Sequence, residues 1–347
     1  MRGPMKWLIT GGAGFIGCNA AARLAKDGHA VFVIDDLSRK GSDHNLEWLR
    51  ASAEIDFVRV DVRSAQAVGK TVREVNPDVV LHLAAQVAVT TSVADPRADF
   101  ETNALGTFNV CEATRLWAPE AILLNASTNK VYGELTNVRV IERDGRYAFA
   151  DLEYGVSELQ PLDFHSPYGC SKGAADQYVH DYHRIYGLRT VNFRQSCIYG
   201  YRQFGVEDQG WVAWFVIAAL LGKPVTVYGD GKQVRDVLFV EDLIDCYQEA
   251  VAAIDRTAGR CFNIGGGPAN AISLLDLLGF LEKSTGKTIS PMLETWRPGD
   301  QKVFVADIQH ARDIFGWKPK TAAWAGVEKL ARWADSEKEL LAAVLGG

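Results

Sequence analysis

Residues 7–17 read WLITGGAGFIG. An apolar run of strand character leads into Gly11, Gly14 and Gly17, and a helical pattern starts where the glycines end. Glycine at these places permits a tight turn, lets backbone N–H groups approach a pyrophosphate, and lets helix pack closely on strand. The chain holds 32 glycines, so a triplet alone means little. Its setting, strand before and helix after, is what makes it a dinucleotide-binding fingerprint, in the G-x-x-G-x-x-G rather than the G-x-G-x-x-G spacing.

The same alternation continues outward. KWLIT, AVFVID, DFVRV, DVVLHLAA and AILLNAS are short apolar or β-branched runs. Segments of helical period lie between them: FIGCNAAARLAKDG, SAQAVGKTVREV and DFETNALGTFNVCEATRLW. Strands without strict polar alternation, each followed by a helix, indicate a parallel sheet buried on both faces and wrapped by right-handed crossovers. The expected fold is therefore α/β, a doubly wound parallel sheet of Rossmann type. From about Phe193 the pattern loosens into Gly-, Pro- and charge-rich stretches, while RDVLFVEDLIDCYQEAV and RCFNIG return to the earlier style. That predicts an NAD-binding domain over 5–192 plus 235–265, and a smaller interleaved substrate domain over 193–234 plus 266–335.

VIDD closes the second strand and puts Asp35 about twenty residues beyond the triplet, where a carboxylate accepts hydrogen bonds from a ribose diol and repels a 2′-phosphate. NAD is favoured over NADP on that ground, although Arg39 and Lys40 stand nearby. Asp61 in VDV is expected near the adenine. HLAAQ (82–86) ends the fourth strand in small residues that leave room for a cofactor across the sheet edge.

Composition narrows the field further. The chain has 347 residues and is 48% apolar, which suits one large or two fused packed domains. A formal net charge of −6 argues against nucleic acid and leaves any anionic substrate to a few local arginines. Six scattered cysteines without a C-x-x-C pair read as reduced intracellular thiols. His180 and His183 lack a carboxylate pattern beside them, so no metal site is expected. MRGPM is too short for a signal peptide, and WVAWFVIAALLG falls short of the ~20 residues that span a bilayer. A cytoplasmic protein is expected.

HSPYGCSKGAADQY (165–178) sets Tyr168 four residues before Lys172 on a helical pattern. Y-x-x-x-K is common by chance, yet it is the spacing a proton-transfer pair on one helix face needs. Free tyrosine titrates near ~10. An ammonium one turn away, with a cationic nicotinamide, would lower that value. NASTNKVYG offers Ser127 and Thr128 as hydroxyls at the end of the fifth strand, where sites in open α/β sheets gather.

Taken together, the glycine triplet, HLAAQ, NALGT with Asn103, Thr128 and Y-x-x-x-K resemble the extended short-chain dehydrogenase family, over about Met5 to Trp333. YGDGKQVRDVLFVEDL and RPGD look like markers of its nucleotide-sugar epimerases and dehydratases. FHSPYGCSKGAADQY, FRQSCIYG, RQFGVEDQGWVAWF and the long segment between Tyr132 and Ser166 are similar to the CDP-tyvelose (CDP-paratose) 2-epimerases. In the loop YGYRQFG, Tyr201 stands where members commonly carry proline.

The resemblance implies transient oxidation of a nucleotide sugar, most simply a CDP-sugar at C2, followed by hydride return, in lipopolysaccharide O-antigen biosynthesis. Tyr168 would take the hydroxyl proton, Lys172 would bind the nicotinamide ribose, and Thr128 would hold the reacting oxygen. Cofactor contacts would come from Gly11, Gly14, Phe15, Ile16, Gly17, Asp35, Asp36, Ser38, Asp61, Val62, Leu83, Ala84, Ala85, Gln86, Asn103 and Gln195. Arg235 and Arg297 suit the diphosphate, since guanidinium meets phosphate oxygens in pairs. Gln209, Tyr228, Gln233 and Asp300 are candidate base or ribose contacts. Trp211 and Trp214 read as packing residues. A homo-oligomer is expected. Rival readings are a 4-epimerase, a 4,6-dehydratase and a non-catalytic NAD-binding module. Asn129 and Lys130, where dehydratases of the family usually carry Asp-Glu, speak against the second, and an intact Thr128, Tyr168 and Lys172 against the third.

Overall fold

The computed structural model describes residues 3–286, 288–297 and 300–345. Seven strands build its main sheet: β1 (Lys6–Thr10), β2 (Ala30–Asp35), β3 (Asp56–Arg59), β4 (Val79–His82), β5 (Ile122–Thr128), β6 (Arg189–Gln195) and β7 (Arg260–Ile264). They lie in the order β7-β6-β5-β4-β1-β2-β3 and every neighbouring pair is parallel. The unbroken apolar character of the strands follows from burial on both faces. Ile9, Leu81 and Leu124 face one side, with Leu243 and Tyr247 of the helix Val240–Ala252. Leu8, Val80 and Leu123 face the other, with Val68 and Val72 of Ala65–Val75 and Val110 of Gly106–Trp117. The strand order reverses between β1 and β4, and ligand crevices form at the carboxyl ends beside such a switch.

The second layer is a four-stranded sheet centred on Val234–Phe239. That strand pairs antiparallel with Ala271–Ser273 and parallel with Val303–Phe304 and Cys197–Tyr199. Helices Trp211–Leu221 and Ala323–Ser336 pack over it; Trp211 and Trp214 sit at the edge of this core. The expected boundaries cut through two strands. β6 continues to Gln195, past the boundary at 193, and the boundary at 235 falls inside Val234–Phe239, which pairs in the small sheet. Leu238 of that strand already packs in the main core, and the helix from Val240 continues there.

Two elements stand where no element was read from the sequence. The helix Ser42–Ser52 covers the edge of the glycine-loop helix Phe15–Lys26 with only Leu46 and Leu49 as buried apolar residues, too weak a period to stand out. The hairpin Val140–Arg143 and Arg146–Phe149 turns at Asp144–Gly145, both with positive φ (52° and 76°). An Asp-Gly pair between apolar runs signals such a turn.

Candidate active site

The glycine loop distributes its glycines by function. Gly11 has φ +66°, and a Cβ there would lie 2.7 Å from the backbone nitrogen of Ala84. At Gly17 it would lie 2.3 Å from the Gly11 carbonyl oxygen. At Gly14 the squeeze is milder, with that same carbonyl oxygen at 3.1 Å, and Gly14 opens the helix with no side chain capping it. The amides of Phe15, Ile16 and Gly17 thus begin a helix whose positive dipole end faces the crevice. Gly12, not singled out from the sequence, matters as well, because a Cβ would strike Val33 at 2.5 Å.

Asp35 ends β2 within reach of this loop. One carboxylate oxygen accepts the Ala13 N–H (3.1 Å) and the other the Leu37 N–H (2.8 Å), while burial pushes its pKa up. Asp36 accepts the Ser38 N–H and hydroxyl (3.0 and 2.7 Å). Asp61 is held by Arg63 (2.6 Å), so its carboxylate serves an ion pair as well as the crevice rim. Val62 packs under Gly106, where a Cβ would meet it at 2.9 Å. Leu83 and Ala84 donate their N–H groups to the Thr10 hydroxyl (3.2 Å each), which seats the β4 turn, with Ala85, against β1. Gly14, Phe15, Arg39, Lys40, Asn45 and Arg202 line one cavity at the helix start. A loop of glycines without side chains, first-turn amides, a carboxylate at the end of β2 and cations around them fit a dinucleotide.

At the carboxyl end of β5 the strand pleat separates the two candidate hydroxyls. Ser127 points into the interior and donates to Asp176 (2.7 Å). Thr128 accepts the Lys130 N–H (3.2 Å), and its hydroxyl is near enough to Tyr168 to favour the phenolate. Gln195 of β6 is paired in register with Thr128 and donates to the Tyr247 hydroxyl (2.5 Å). Tyr168 occupies the first turn of the helix Ser166–Tyr186, opened by Pro167, with its N–H donated to Ser92 (3.2 Å). Burial pushes the Tyr168 pKa up to about 12, against the Thr128 hydroxyl and with the help of Asp99. Lys172 donates to the Ala126 carbonyl (2.6 Å), and burial brings it down to about 8 despite Asp176 and Asp99. The structure therefore differs from the expectation of a lysine that lowers the tyrosine directly, since Lys172 is turned to the β5 backbone.

A buried polar cluster braces this pair. The Asp99 carboxylate accepts from Gln86 (2.8 Å), Asn103 (3.1 Å) and Ser171. Asn103 also receives the Gln86 N–H (2.9 Å) and donates to the Gln86 carbonyl (3.0 Å). It lies in a single π-helical turn, Glu101–Leu105, a feature that recurs at functional sites. Asp99, Ser92 and Ser171 escaped the sequence reading; SKGAADQY contained Ser171, but its partner lies 72 positions away.

Across the crevice the second domain presents Arg235, bound to Asp300 (2.6 Å), and Arg297, stacked 3.8 Å over the Tyr228 ring and paired with Asp208 (2.8 Å). Gln233 donates to the Tyr228 carbonyl (2.6 Å). Pro298 and Gly299 of RPGD lie outside the described residues. Gln209 stands apart from this group, bound by Arg39 of the cofactor side. Tyr201 packs edge-on against Phe239 (5.2 Å) of the small sheet, while its backbone carbonyl, which any residue would offer, accepts from Asn19 (2.9 Å) of the glycine-loop helix.

A seven-stranded parallel sheet that carries these groups at its carboxyl ends, opposite an arginine-bearing second layer, is the architecture of the extended short-chain dehydrogenases. The chain belongs to this class through the family described as GDP-mannose 4,6 dehydratase, whose model matches residues 8–330. It is 46% identical to a CDP-paratose 2-epimerase from Salmonella typhi, over 96% of this chain and 100% of that one. It is 33% identical to a UDP-glucose 4-epimerase from Mycolicibacterium smegmatis, over 94% and 97% of the two chains. Among solved structures, UDP-glucuronic acid 4-epimerase from Bacillus cereus, in complex with UDP-glucuronic acid and NAD, superposes with a TM-score of 0.82 at 28% identity, covering 96% of this chain and 99% of that one.

Proposed function

We propose that the protein is an NAD-dependent nucleotide-sugar epimerase that inverts C2 of CDP-paratose to give CDP-tyvelose. The observation that carries this reading is the end-to-end similarity to a CDP-paratose 2-epimerase, joined to a site that keeps Thr128, Tyr168 and Lys172 together. NAD bound at the glycine loop supplies reversible hydride acceptance. Gly11, Gly14 and Gly17 seat its diphosphate, Asp35 its adenosine ribose, and Lys172 its nicotinamide ribose. Tyr168 takes the proton from the C2 hydroxyl and returns it to the product. Thr128 orients that oxygen. Arg235 and Arg297 hold the substrate diphosphate, with Tyr228, Gln233, Asp300 and Gln209 toward the nucleoside. The 2-keto sugar then presents its other face before reduction.

A dehydratase reading is disfavoured at the same turn, because Asn129 and Lys130 provide no carboxylate acid and base. The reading extends to a cytoplasmic homo-oligomer in O-antigen sugar synthesis. It is supported by six free cysteines, by the lack of any helix among the described residues long and apolar enough to cross a membrane, and by an exposed aromatic face on the helices after β4 and β5. The decisive experiment incubates the protein with CDP-paratose in deuterated water and follows the sugar by NMR. Conversion without solvent deuterium at the inverted carbon is the expected result. Deuterium there overturns hydride return, and turnover of a UDP-sugar in preference overturns the nucleotide.

A further inference from the structure

Two residues beyond Thr128 stands a cation that the mechanism above leaves unused. Lys130 belongs to the single 3₁₀ turn Asn129–Tyr132. Its N–H donates to the Thr128 hydroxyl oxygen (3.2 Å), and its carbonyl accepts the Gly133 N–H (3.2 Å). That carbonyl also lies 3.5 Å from where a Cβ of Gly169 would sit, against the first turn of the Tyr168 helix. The backbone of Lys130 is therefore tied to Thr128 and lies against the first turn of the helix that carries Tyr168.

Its side chain is half-buried and forms no ion pair among the described residues. The charged groups that act on it are Arg235, then Asp300 and Glu134. Asp300 is already committed to Arg235 at 2.6 Å. Glu134 lies 3.4 Å from His165, so neither carboxylate near Lys130 forms an ion pair with it. Burial and Arg235 together pull the ammonium below its ordinary affinity for a proton. A half-buried cation in that condition, next to a second one, is stabilised by an arriving anion.

The reaction proposed above says which anion. C2 is joined to C1, and C1 carries the diphosphate through a single oxygen. With the C2 hydroxyl at Thr128 and Tyr168, the β-phosphate must come down beside the turn that follows Thr128. In an inversion at C4, the phosphate lies across the ring from the reacting carbon. The geometry points to Lys130 as a ligand of the substrate β-phosphate, working with Arg235 to place C2 in front of Tyr168. This assignment rests on the reading of the substrate as a CDP-sugar turned over at C2.

The test is calorimetric titration of CDP and of CMP into the NAD-loaded protein, wild type and Lys130→Met. Loss of one charged hydrogen bond weakens CDP about tenfold. CMP binding stays as in wild type, and Lys130→Arg restores most of the CDP affinity. Unchanged CDP binding in Lys130→Met overturns the proposal, and so does an equal loss for CDP and CMP. If Lys130→Met does not fold, Lys130→Gln is measured in its place and judged by the same outcomes. Should the wild type prefer UDP to CDP, the nucleotide reading fails by itself, and the Lys130 comparison is made with UDP and UMP.

Discussion

Tyr168 and Lys172 are one helical turn apart, yet they do different electrostatic work. With the lysine turned to Ala126, nothing cationic offsets the burial of the phenol, and it sits near about 12. A proton acceptor at neutral pH needs a further positive charge, and the oxidised nicotinamide is the one the chemistry brings. Tyr168 is therefore expected to ionise at lower pH in the NAD-loaded protein than in the NAD-free protein. The difference in tyrosinate absorbance between wild type and Tyr168→Phe measures it, and equal titration in both forms would rule the idea out. Tyr168→Phe itself should retain NAD and lose turnover by about 10²-fold or more, the usual scale of a proton-transfer group. The residue types were legible in Y-x-x-x-K. The direction of the lysine was not, because it depends on where β5 places a carbonyl, 46 positions earlier. The Asp99 cluster was hidden for the same reason: a carboxylate in ADFETN has no signature until the fold carries Ser171 and Gln86 to it.

Among the elements, the strands of the main sheet were the most readable, because burial on both faces writes itself as an unbroken apolar run. AVFVID became β2 residue for residue, and KWLIT became β1. Of the small sheet only the central strand, in RDVLFV, was legible, and it was assigned to the larger domain; its partners are two or three residues long and pair across large gaps in sequence. The junction of β1 and β4 carries two expectations. Gly11→Ala forces a side chain onto a left-handed turn and against Ala84, so it should cost about 1–3 kcal/mol of stability and weaken NAD binding, read by chemical denaturation and cofactor titration. His82 is buried between Thr10 (2.7 Å) and Thr107 (3.0 Å), and its pKa is pushed down to about 3 by burial first and by Lys172 second. The unfolded chain takes up a proton near the ordinary histidine value, and the folded chain refuses it until about pH 3. Stability therefore falls as pH drops through that window, by up to about 1.4 kcal/mol per pH unit. His82→Gln should flatten this acid limb; an unchanged slope between about pH 7 and about pH 5 would assign it to other groups.

At the scale of the whole molecule, the alternation of segments announced an α/β protein and composition a packed one with a modest negative charge, and neither said which face meets a partner. That information lies in the folded surface. Phe100 and Leu105 precede the helix Gly106–Trp117 and Phe108 opens it, while Tyr178, Ile185 and Tyr186 line the outer side of Ser166–Tyr186. Phe100 is 57% exposed and Ile185 64%, and Phe108 and Tyr178 meet edge to face at 5.6 Å. In sequence these residues look like ordinary members of amphipathic helices; only packing shows that the inner stripe is already filled by Val110, Val179 and their neighbours. A contiguous apolar face of this kind is costly in water and suits a partner presenting the same face. The helix Ser166–Tyr186 also carries Tyr168 and Lys172, and Asn103 lies in the π-helical turn that leads into Gly106–Trp117, so association would stiffen the elements on which the chemistry depends. The expected outcome is a homodimer at micromolar concentration in sedimentation experiments, with Phe108→Glu shifting it to monomer and lowering thermal stability. A wild-type protein that sediments as a monomer, or a Phe108→Glu variant that keeps its oligomeric state, would show that this face is covered by something other than a second copy.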